Sequence, residues 1–475
     1  MTIFPMRDTE RTFVLAGLVV FFLLIMHALP KLHIGSTELR SVNILSDLLP
    51  EKEDSSNSVI PVPQAPKSEG LATTKSGQTI QFKEIWPKGV EPIVDYAEGT
   101  GKEGGMTHFY EALSNIKTMD RPVRIAYLGD SFVENDIMTA DLREMFQKDF
   151  GGNGVGWVDL ANPLNVNSRR TVVQQTSGTR EYTVVGKPFD KQRQCLTERY
   201  YTVQNGAKII TNVASAFNRF QPHSKTFQTA RLFFHTNGNA EISAAIGNQP
   251  AAKRMFGASS NVQMMEAKGQ GSQITYTFNH LTGTFTGFGM ALESNRGVIL
   301  DCISMRGSNG LSIKDVPLRT LTDFNRLRPY DLIILQYGLN IATSGNPQAI
   351  IKAYAANMKK VVNNLRHAFP EASILIMSVP DRDQRTAEGI NTMKEVKWLV
   401  AYQQQLAADC HVGWLNFFQA MGGNGATKQL VDRDMANKDY THLSYGGGQY
   451  VAKKVYPSFK AGLNNYLRRK KIEQE

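Results

Sequence analysis

The sequence has few cysteines and lacks the patterns by which metals or nucleic acids are usually recognised. Its three cysteines, Cys195, Cys302 and Cys410, lie far apart in the 475 residues with no Cys-x-x-Cys pair. They predict neither a metal site nor a disulfide framework, and we interpret them as small buried apolar residues. The formal charge of +10 is not arranged as a basic stripe interleaved with aromatic residues, which argues against nucleic-acid binding. We predict no metal and no cofactor.

One apolar run stands near the N-terminus. Residues 12–29, TFVLAGLVVFFLLIMHAL, contain His27 as their only ionisable side chain. About 18 apolar residues are just enough to cross a hydrocarbon core of roughly 30 Å. A cleaved signal peptide is the alternative, but no small-x-small cleavage site follows the run. After a short tail (1–11), we therefore predict a single-pass membrane anchor, with the body of the protein in the periplasm or otherwise outside the cytoplasm.

The rest of the chain predicts a linker followed by an interrupted α/β domain. Residues 51–77 are rich in Ser, Pro, Lys and Glu, a composition typical of a flexible linker, and we predict such a linker at 30–80. Helical periodicity over 347–368, with Asn346 as a possible cap, predicts a covering helix. The alternation of strands and helices indicates a parallel sheet. Five short apolar runs predict its buried strands: 123–128, 298–303, 332–337, 373–379 and 412–416.

The segment between the first two of these strands differs from the rest of the domain in composition and periodicity. Segments rich in Thr and Phe are separated by Gly and Asn, and in 273–278 apolar and polar residues alternate. A period of two favours antiparallel strands with one buried face. We predict an inserted β-rich domain at 165–297, built as a sandwich. The α/β domain then consists of 81–164 and 298–467, followed by a charged tail at 468–475.

Residues that can act as a nucleophile or as hydrogen-bond donors follow three of the predicted strands. Ser131 comes just after the first strand, Gly307 after the second and Asn340 after the third. Ligands bind at the carboxyl ends of the strands in open α/β sheets. Near the C-terminus, Asp439 precedes His442 by three residues, a spacing that lets a carboxylate orient an imidazole. The order is therefore nucleophile, backbone donor, side-chain donor and base.

That order resembles the SGNH (GDSL) hydrolase family. Its four blocks match here as Gly129-Asp130-Ser131, the glycine of Arg306-Gly307, Gly338-Leu339-Asn340 and Asp439-Tyr440-Thr441-His442. Phe132 and Ile341 replace the leucine and aspartate that are common in the first and third blocks. The stretch from Asp130 to Asp136, with the glycines of 151–156, looks like the branch that includes peptidoglycan O-acetylesterases and O-acetyltransferases.

The resemblance implies a fold and a chemistry. The expected fold is a flavodoxin-like parallel sheet of about five strands carrying the β-rich insert. Ser131, His442 and Asp439 are the expected catalytic residues, with an oxyanion hole formed by Ser131, Gly307 and Asn340. The expected substrate is an O-acetylated polysaccharide of the cell envelope. For a transferase, a membrane protein could supply the acyl group.

Two other classes remain open at this stage. A non-catalytic glycan-binding or polysaccharide-assembly protein could keep the same fold. A zinc-dependent deacetylase would need a His/Asp ligand cluster, which the sequence spacing does not show. Tyr337 and Trp157 could stack on sugar rings, although core packing is the more common role for such residues.

Overall fold

The computed structural model describes residues 69–97, 105–214 and 220–475, residues 60 and 63, and short stretches before residue 39. Met1–Val59 and Ile60–Glu475 are separate compact units. The first unit contains an antiparallel pair, β1 (His33–Ile34) and β2 (Thr37–Glu38). The finer boundaries within the second unit remain predictions.

The predicted transmembrane helix lies partly outside the described residues. Within 12–29 the structure describes residues 14–15, 17–19 and 21–22, and all of these are helical. No helix in the described part of the chain has both the length and the hydropathy needed to cross a membrane. This finding contradicts the predicted anchor and the single-pass membrane location. A run of about 18 apolar residues only just reaches the required length, so hydropathy alone is a weak indicator here.

The second unit begins with a hairpin and the first part of an α/β sheet. The elements in chain order are β3 (Glu69–Thr73), β4 (Thr79–Lys83), β5 (Ile93–Asp95), α1 (Thr107–Ser114), β6 (Val123–Gly129) and α2 (Thr139–Phe150). Strands β3 and β4 form a two-stranded antiparallel sheet.

Nine strands then form one antiparallel sheet, interrupted by the short helix α3 (Leu164–Asn167). The strands are β7 (Gly156–Asp159), β8 (Val173–Thr183), β9 (Arg199–Asn212), β10 (Phe227–Thr236), β11 (Ala240–Ile246), β12 (Ala252–Phe256), β13 (Gln263–Gly271), β14 (Gln273–Asn279) and β15 (Phe285–Glu293). Hydrogen bonds connect all nine, so the predicted sandwich of two sheets is wrong. The 14-residue strand β9 makes this possible because it pairs with β8, β14 and β15 along its length.

The chain then returns to the α/β sheet. The remaining strands are β16 (Val298–Ser304), β17 (Leu332–Gln336), β18 (Ser373–Met377), β19 (Asp383–Thr386), β20 (Gly389–Thr392) and β21 (Gly413–Leu415). The remaining helices are α4 (Leu318–Leu327), α5 (Gln348–Ala368), α6 (Lys394–Cys410), α7 (Phe417–Met421), α8 (Ala426–Val431) and α9 (Tyr445–Gln474).

The α/β sheet has six strands in the order β16-β6-β17-β18-β21-β5. Strand β5 runs antiparallel to β21, so the sheet is mixed and not wholly parallel as predicted. Ile93–Asp95 is too short to show a periodicity in the sequence. All residues of β6, β17 and β18 are buried, which explains their continuous apolar character. Gly129 pairs with both Ser304 and Gln336, so β16, β6 and β17 end at one edge.

A buried ionic network joins the two sheets. Arg328, which follows α4, pairs with Asp301 of β16 at 2.8 Å and with Glu293 of β15 at 2.5 Å. Arg124 of β6 pairs with Glu293 at 2.8 Å. Burial alone would raise the pKa of Glu293, but the charges of Arg124 and Arg328 hold it well below its usual value. Each buried charge thus has a partner, which offsets the large desolvation cost of an isolated ion.

Candidate active site

The first loop at this edge presents Ser131. Strand β6 ends at Gly129, and a Cβ there would lie 2.6 Å from Val133 and 3.2 Å from the carbonyl oxygen of Gln336. Only glycine fits such a close approach. The carbonyl of Asp130 accepts the backbone N–H of Val133 at 3.4 Å, which closes a turn directly after the strand. Ser131 is 8% exposed.

Ser131, His442 and Asp439 form a continuous hydrogen-bonded chain. The Oγ atom of Ser131 lies 2.9 Å from Nε2 of His442, and Nδ1 of His442 lies 2.7 Å from Oδ2 of Asp439. The other oxygen of Asp439 accepts the backbone N–H groups of Thr441 and His442, each at 3.0 Å. These bonds fix the loop, in which Tyr440 has a φ of +53°.

The carboxylate of Asp439 is held in its charged form. Burial alone would raise its pKa, but the hydrogen bonds from the His442 ring and from the backbone lower it. An ionised Asp439 can stabilise a protonated imidazole. With Oγ on one ring nitrogen and a carboxylate on the other, His442 is positioned to accept a proton from Ser131.

The two other predicted loops lie beside Ser131. The backbone N–H of Met305 donates to the carbonyl of Gly129 at 3.1 Å, which joins the second loop to the first. In the second loop Gly307 has a φ of +77°, a conformation that favours glycine. In the third loop the side-chain amide of Asn340 donates to the carbonyl of Ser308 at 2.7 Å. An amide nitrogen carries two hydrogens, so one N–H of Asn340 is free for a ligand.

Asp130, which directly precedes Ser131 in the chain, is 2% exposed. Its carboxylate accepts the backbone N–H of Phe132 at 3.0 Å. Burial raises the pKa of Asp130 to about 6, while the N–H of Phe132 and the charge of His442 limit the rise. It is thus a second carboxylate close to the histidine.

Sequence reasoning gave no role to three charged residues around these loops. Glu198 precedes β9 of the antiparallel sheet, and its buried carboxylate accepts the hydroxyl of Ser308 at 2.6 Å. Arg306 donates to Glu134 at 2.8 Å, which ties the second loop to the first. Arg382 donates to the carbonyls of Leu339 and Ala342 in the third loop. Each depends on contacts between distant segments, so no local pattern indicates them.

The aromatic residues considered for sugar stacking are core residues. Trp157 and Tyr337 are each 2% exposed. The rings of Phe233 and Phe324 pack against Trp157. The hydroxyl of Tyr337 donates to Glu198 at 3.3 Å. Neither ring is available to a sugar.

The fold and the loops at its edge can be compared with those of known proteins. No family model matches the chain, and no curated protein matches it. A solved peptidoglycan O-acetylesterase is similar to it, with 19% identity, 78% of this chain and 99% of that chain covered, and a TM-score of 0.62. At this identity the likeness shows a shared fold. The expected resemblance to SGNH esterases and acetyltransferases is thereby confirmed.

Two further solved structures match with lower scores. A family two carbohydrate esterase from Cellvibrio japonicus has 11% identity over 62% of this chain and 99% of its own, with a TM-score of 0.25. A salicylyl-acyltransferase from a tetracycline biosynthetic pathway has 11% identity over 61% of this chain and 97% of its own, with a TM-score of 0.27. At such TM-scores they carry no argument.

Proposed function

We propose that this protein is a serine-dependent esterase or acyltransferase that acts on O-acetyl groups of a polysaccharide. The observation that carries the proposal is the hydrogen-bonded chain from Ser131 through His442 to Asp439. An alcohol, an imidazole and an ionised carboxylate in this order are the parts needed to activate a serine for attack on an ester. The choice of an O-acetylated polysaccharide of the cell envelope, such as peptidoglycan, is supported by the shared fold described above.

In the proposed reaction Ser131 Oγ attacks the acetyl carbonyl, and its proton passes to Nε2 of His442. The C–O bond to the sugar breaks, the sugar oxygen takes that proton, and the acetyl group remains on Ser131. Asp439 stabilises the protonated ring throughout. The negative charge on the carbonyl oxygen is met by the N–H groups of Ser131 and Gly307 and by the free N–H of Asn340.

The second half of the reaction decides between the two activities. Water attacking the acetyl-serine gives an esterase, and a sugar hydroxyl gives a transferase. The same residues serve both outcomes, so they do not distinguish them. Incubation with an acetyl donor, with and without a glycan acceptor, separates free acetate from acetylated glycan. A protein that supplies the acetyl group to a transferase remains a prediction from the sequence.

The test is the Ser131→Ala variant. We expect hydrolysis of p-nitrophenyl acetate and release of acetate from O-acetylated peptidoglycan to fall by at least about 10³-fold, because the attacking oxygen is gone. Initial rates measure both reactions. Ser243→Ala is the matched control, since Ser243 is 7% exposed and lies on β11 of the antiparallel sheet. If Ser131→Ala kept the activity while remaining folded, the assignment would be wrong.

A further inference from the structure

Arg382 lies beside the candidate site and has no ionic partner within the described part of the chain. It stands at the base of the β19–β20 hairpin and is partly buried. Its Nη1 donates to the carbonyl of Leu339 at 3.2 Å and to that of Ala342 at 3.3 Å. Among the residues that the structure describes, these carbonyls are the only hydrogen-bond partners of the Arg382 side chain, and no carboxylate lies within ion-pair distance of it. The N–H groups of its Nε and Nη2 atoms therefore have no acceptor among the described residues.

The position of Arg382 is set by two of the loops described above. The carbonyls it contacts flank Asn340, in the third loop. On its other side, the backbone N–H of Asp383 donates to the carbonyl of Tyr440 at 3.2 Å. Arg382 thus lies between the loop of Asn340 and the loop that carries Asp439 and His442.

The charge of Arg382 is only partly compensated. Asp439, Asp130 and Glu395 act on it through space and raise its pKa, but burial has the larger effect and lowers it. Asp439 is itself engaged by His442, and Glu395 accepts the backbone N–H of Gly345 at 3.1 Å. The nearby Arg306 differs, because Glu134 pairs with it directly. A further anion next to Arg382 would be favourable.

The unused donors have a particular geometry. Nε–H and one Nη2–H of a guanidinium point in parallel and match the two oxygens of a carboxylate. On the basis of the proposed function, we infer that Arg382 binds a carboxylate of the glycan that carries the acetyl group. The substrate class is then an O-acetylated polysaccharide containing an acidic sugar.

The test compares two small substrates that differ in the carboxylate alone. These are the methyl glycosides of mono-O-acetylated galacturonic acid and of galactose acetylated at the same position. We expect the wild type to have the higher kcat/KM on the acid. In Arg382→Gln, kcat/KM on the acid should fall by about 10- to 100-fold, the effect of losing a bidentate charged hydrogen bond. The losses on the neutral glycoside and on p-nitrophenyl acetate should be clearly smaller, because these substrates report only the support that Arg382 gives the third loop.

The matched control is Arg385→Gln, which removes the same charge from an exposed position on β19 of the same hairpin. It should change none of the three rates. Equal losses in Arg382→Gln on all three substrates would show that Arg382 only supports the loop, and would overturn the inference. Equal wild-type rates on the acid and the neutral glycoside would also overturn it. Failure of the wild type to turn over any acetyl ester would instead contradict the proposed function.

A binding measurement separates these outcomes further. Calorimetric titration with non-acetylated trigalacturonic acid needs no turnover. The wild type should bind it at least about ten-fold more tightly than Arg382→Gln does, while Arg385→Gln should match the wild type. Equal affinities in wild type and Arg382→Gln would contradict the inference independently of any activity.

Discussion

The carboxylate of Asp130 is buried, and burial disfavours its ionised form. The residue precedes Ser131 and lies in the interior, and its raised pKa of about 6 reflects the loss of hydration. An ionised Asp130 favours the protonated form of His442, which forms during the proposed reaction. The folded protein accepts a stability cost for holding a second negative charge near the imidazole.

This cost has a pH dependence that can be measured. The pKa of Asp130 is higher in the folded state than its ordinary value of 3.8, so the folded state binds the proton more tightly. Its contribution to stability is therefore present below about pH 4 and is lost as the pH rises to about 6. Asp130→Asn removes this titration. Its free energy of unfolding relative to wild type should rise by on the order of 2–3 kcal/mol between pH 4 and pH 7.

Urea denaturation at a series of pH values gives this difference directly. A difference in the free energy of unfolding that is the same at every pH can add to this effect, because the Asn amide replaces one carboxylate oxygen. The prediction concerns only the part of the difference that changes with pH. Glu388→Gln, at an exposed position, serves as the control and should show no such rise. A stability difference that is independent of pH would contradict the predicted cost.

Some residues of the candidate site could be predicted from the sequence, and others could not. Ser131, Gly307 and Asn340 each follow a strand that its apolar run predicts, and parallel strands bring their carboxyl ends together. Their roles in catalysis stay predictions until tested. Glu198 and Arg382 were missed because their partners are backbone carbonyls and hydroxyls far away in the sequence, which local spacing does not indicate.

At the scale of helices and strands, an element could be predicted where its burial gives the sequence a regular pattern of apolar residues. All five predicted α/β strands lie in the sheet, and the helix predicted for 347–368 is α5. Its cap differs, because Pro347 is the N-cap and the Asn346 side chain donates to the carbonyl of Ile341. In β14 every second residue is buried, as the alternation indicates. Which strands pair, and that nine form one sheet, depends on long-range contacts that no periodicity contains.

The ionic network between β15 and β16 is a second feature that periodicity does not reveal. Arg328 is 0% exposed and neutralises both Glu293 and Asp301. Arg328→Met keeps the volume but leaves these carboxylates with one fewer cation. We expect a loss of about 3–5 kcal/mol in the free energy of unfolding, measured by urea denaturation.

A matched substitution distinguishes the buried network from surface charge. Arg326→Met removes an arginine two positions away, whose 58% exposed side chain pairs with Asp323. An exposed ion pair contributes about 0–1 kcal/mol, so this variant should remain close to wild type. Similar losses in both variants would contradict the role given to the buried network.

At the scale of the whole molecule, the antiparallel sheet reaches the candidate site through Glu198. Its carboxylate accepts hydroxyl groups from Ser308 and Tyr337. The carbonyl of Ser308 in turn accepts the amide of Asn340. The orientation of Asn340, the proposed oxyanion donor, therefore depends on a residue that lies between two strands of the antiparallel sheet.

Glu198→Gln tests this dependence. The glutamine amide cannot accept all the hydroxyl hydrogens, so the Ser308 loop should shift. We expect kcat for p-nitrophenyl acetate to fall by roughly ten-fold with KM little changed, because misplaced donors weaken transition-state stabilisation. Glu241→Gln on β11 is the control. A rise in KM with unchanged kcat would contradict a positioning role for Glu198.

The order of strands in the α/β sheet also affects how the protein is made. Strand β6, which leads to Ser131, has β16 and β17 as its two neighbours, and both are synthesised after the entire nine-stranded sheet. During translation β6 therefore lacks both of these neighbours until the residues up to β16 have been synthesised. The strands of the large antiparallel sheet all precede β16 and β17 in the chain, so they can pair first, and Ser131, the proposed nucleophile, reaches its place in the site only afterwards.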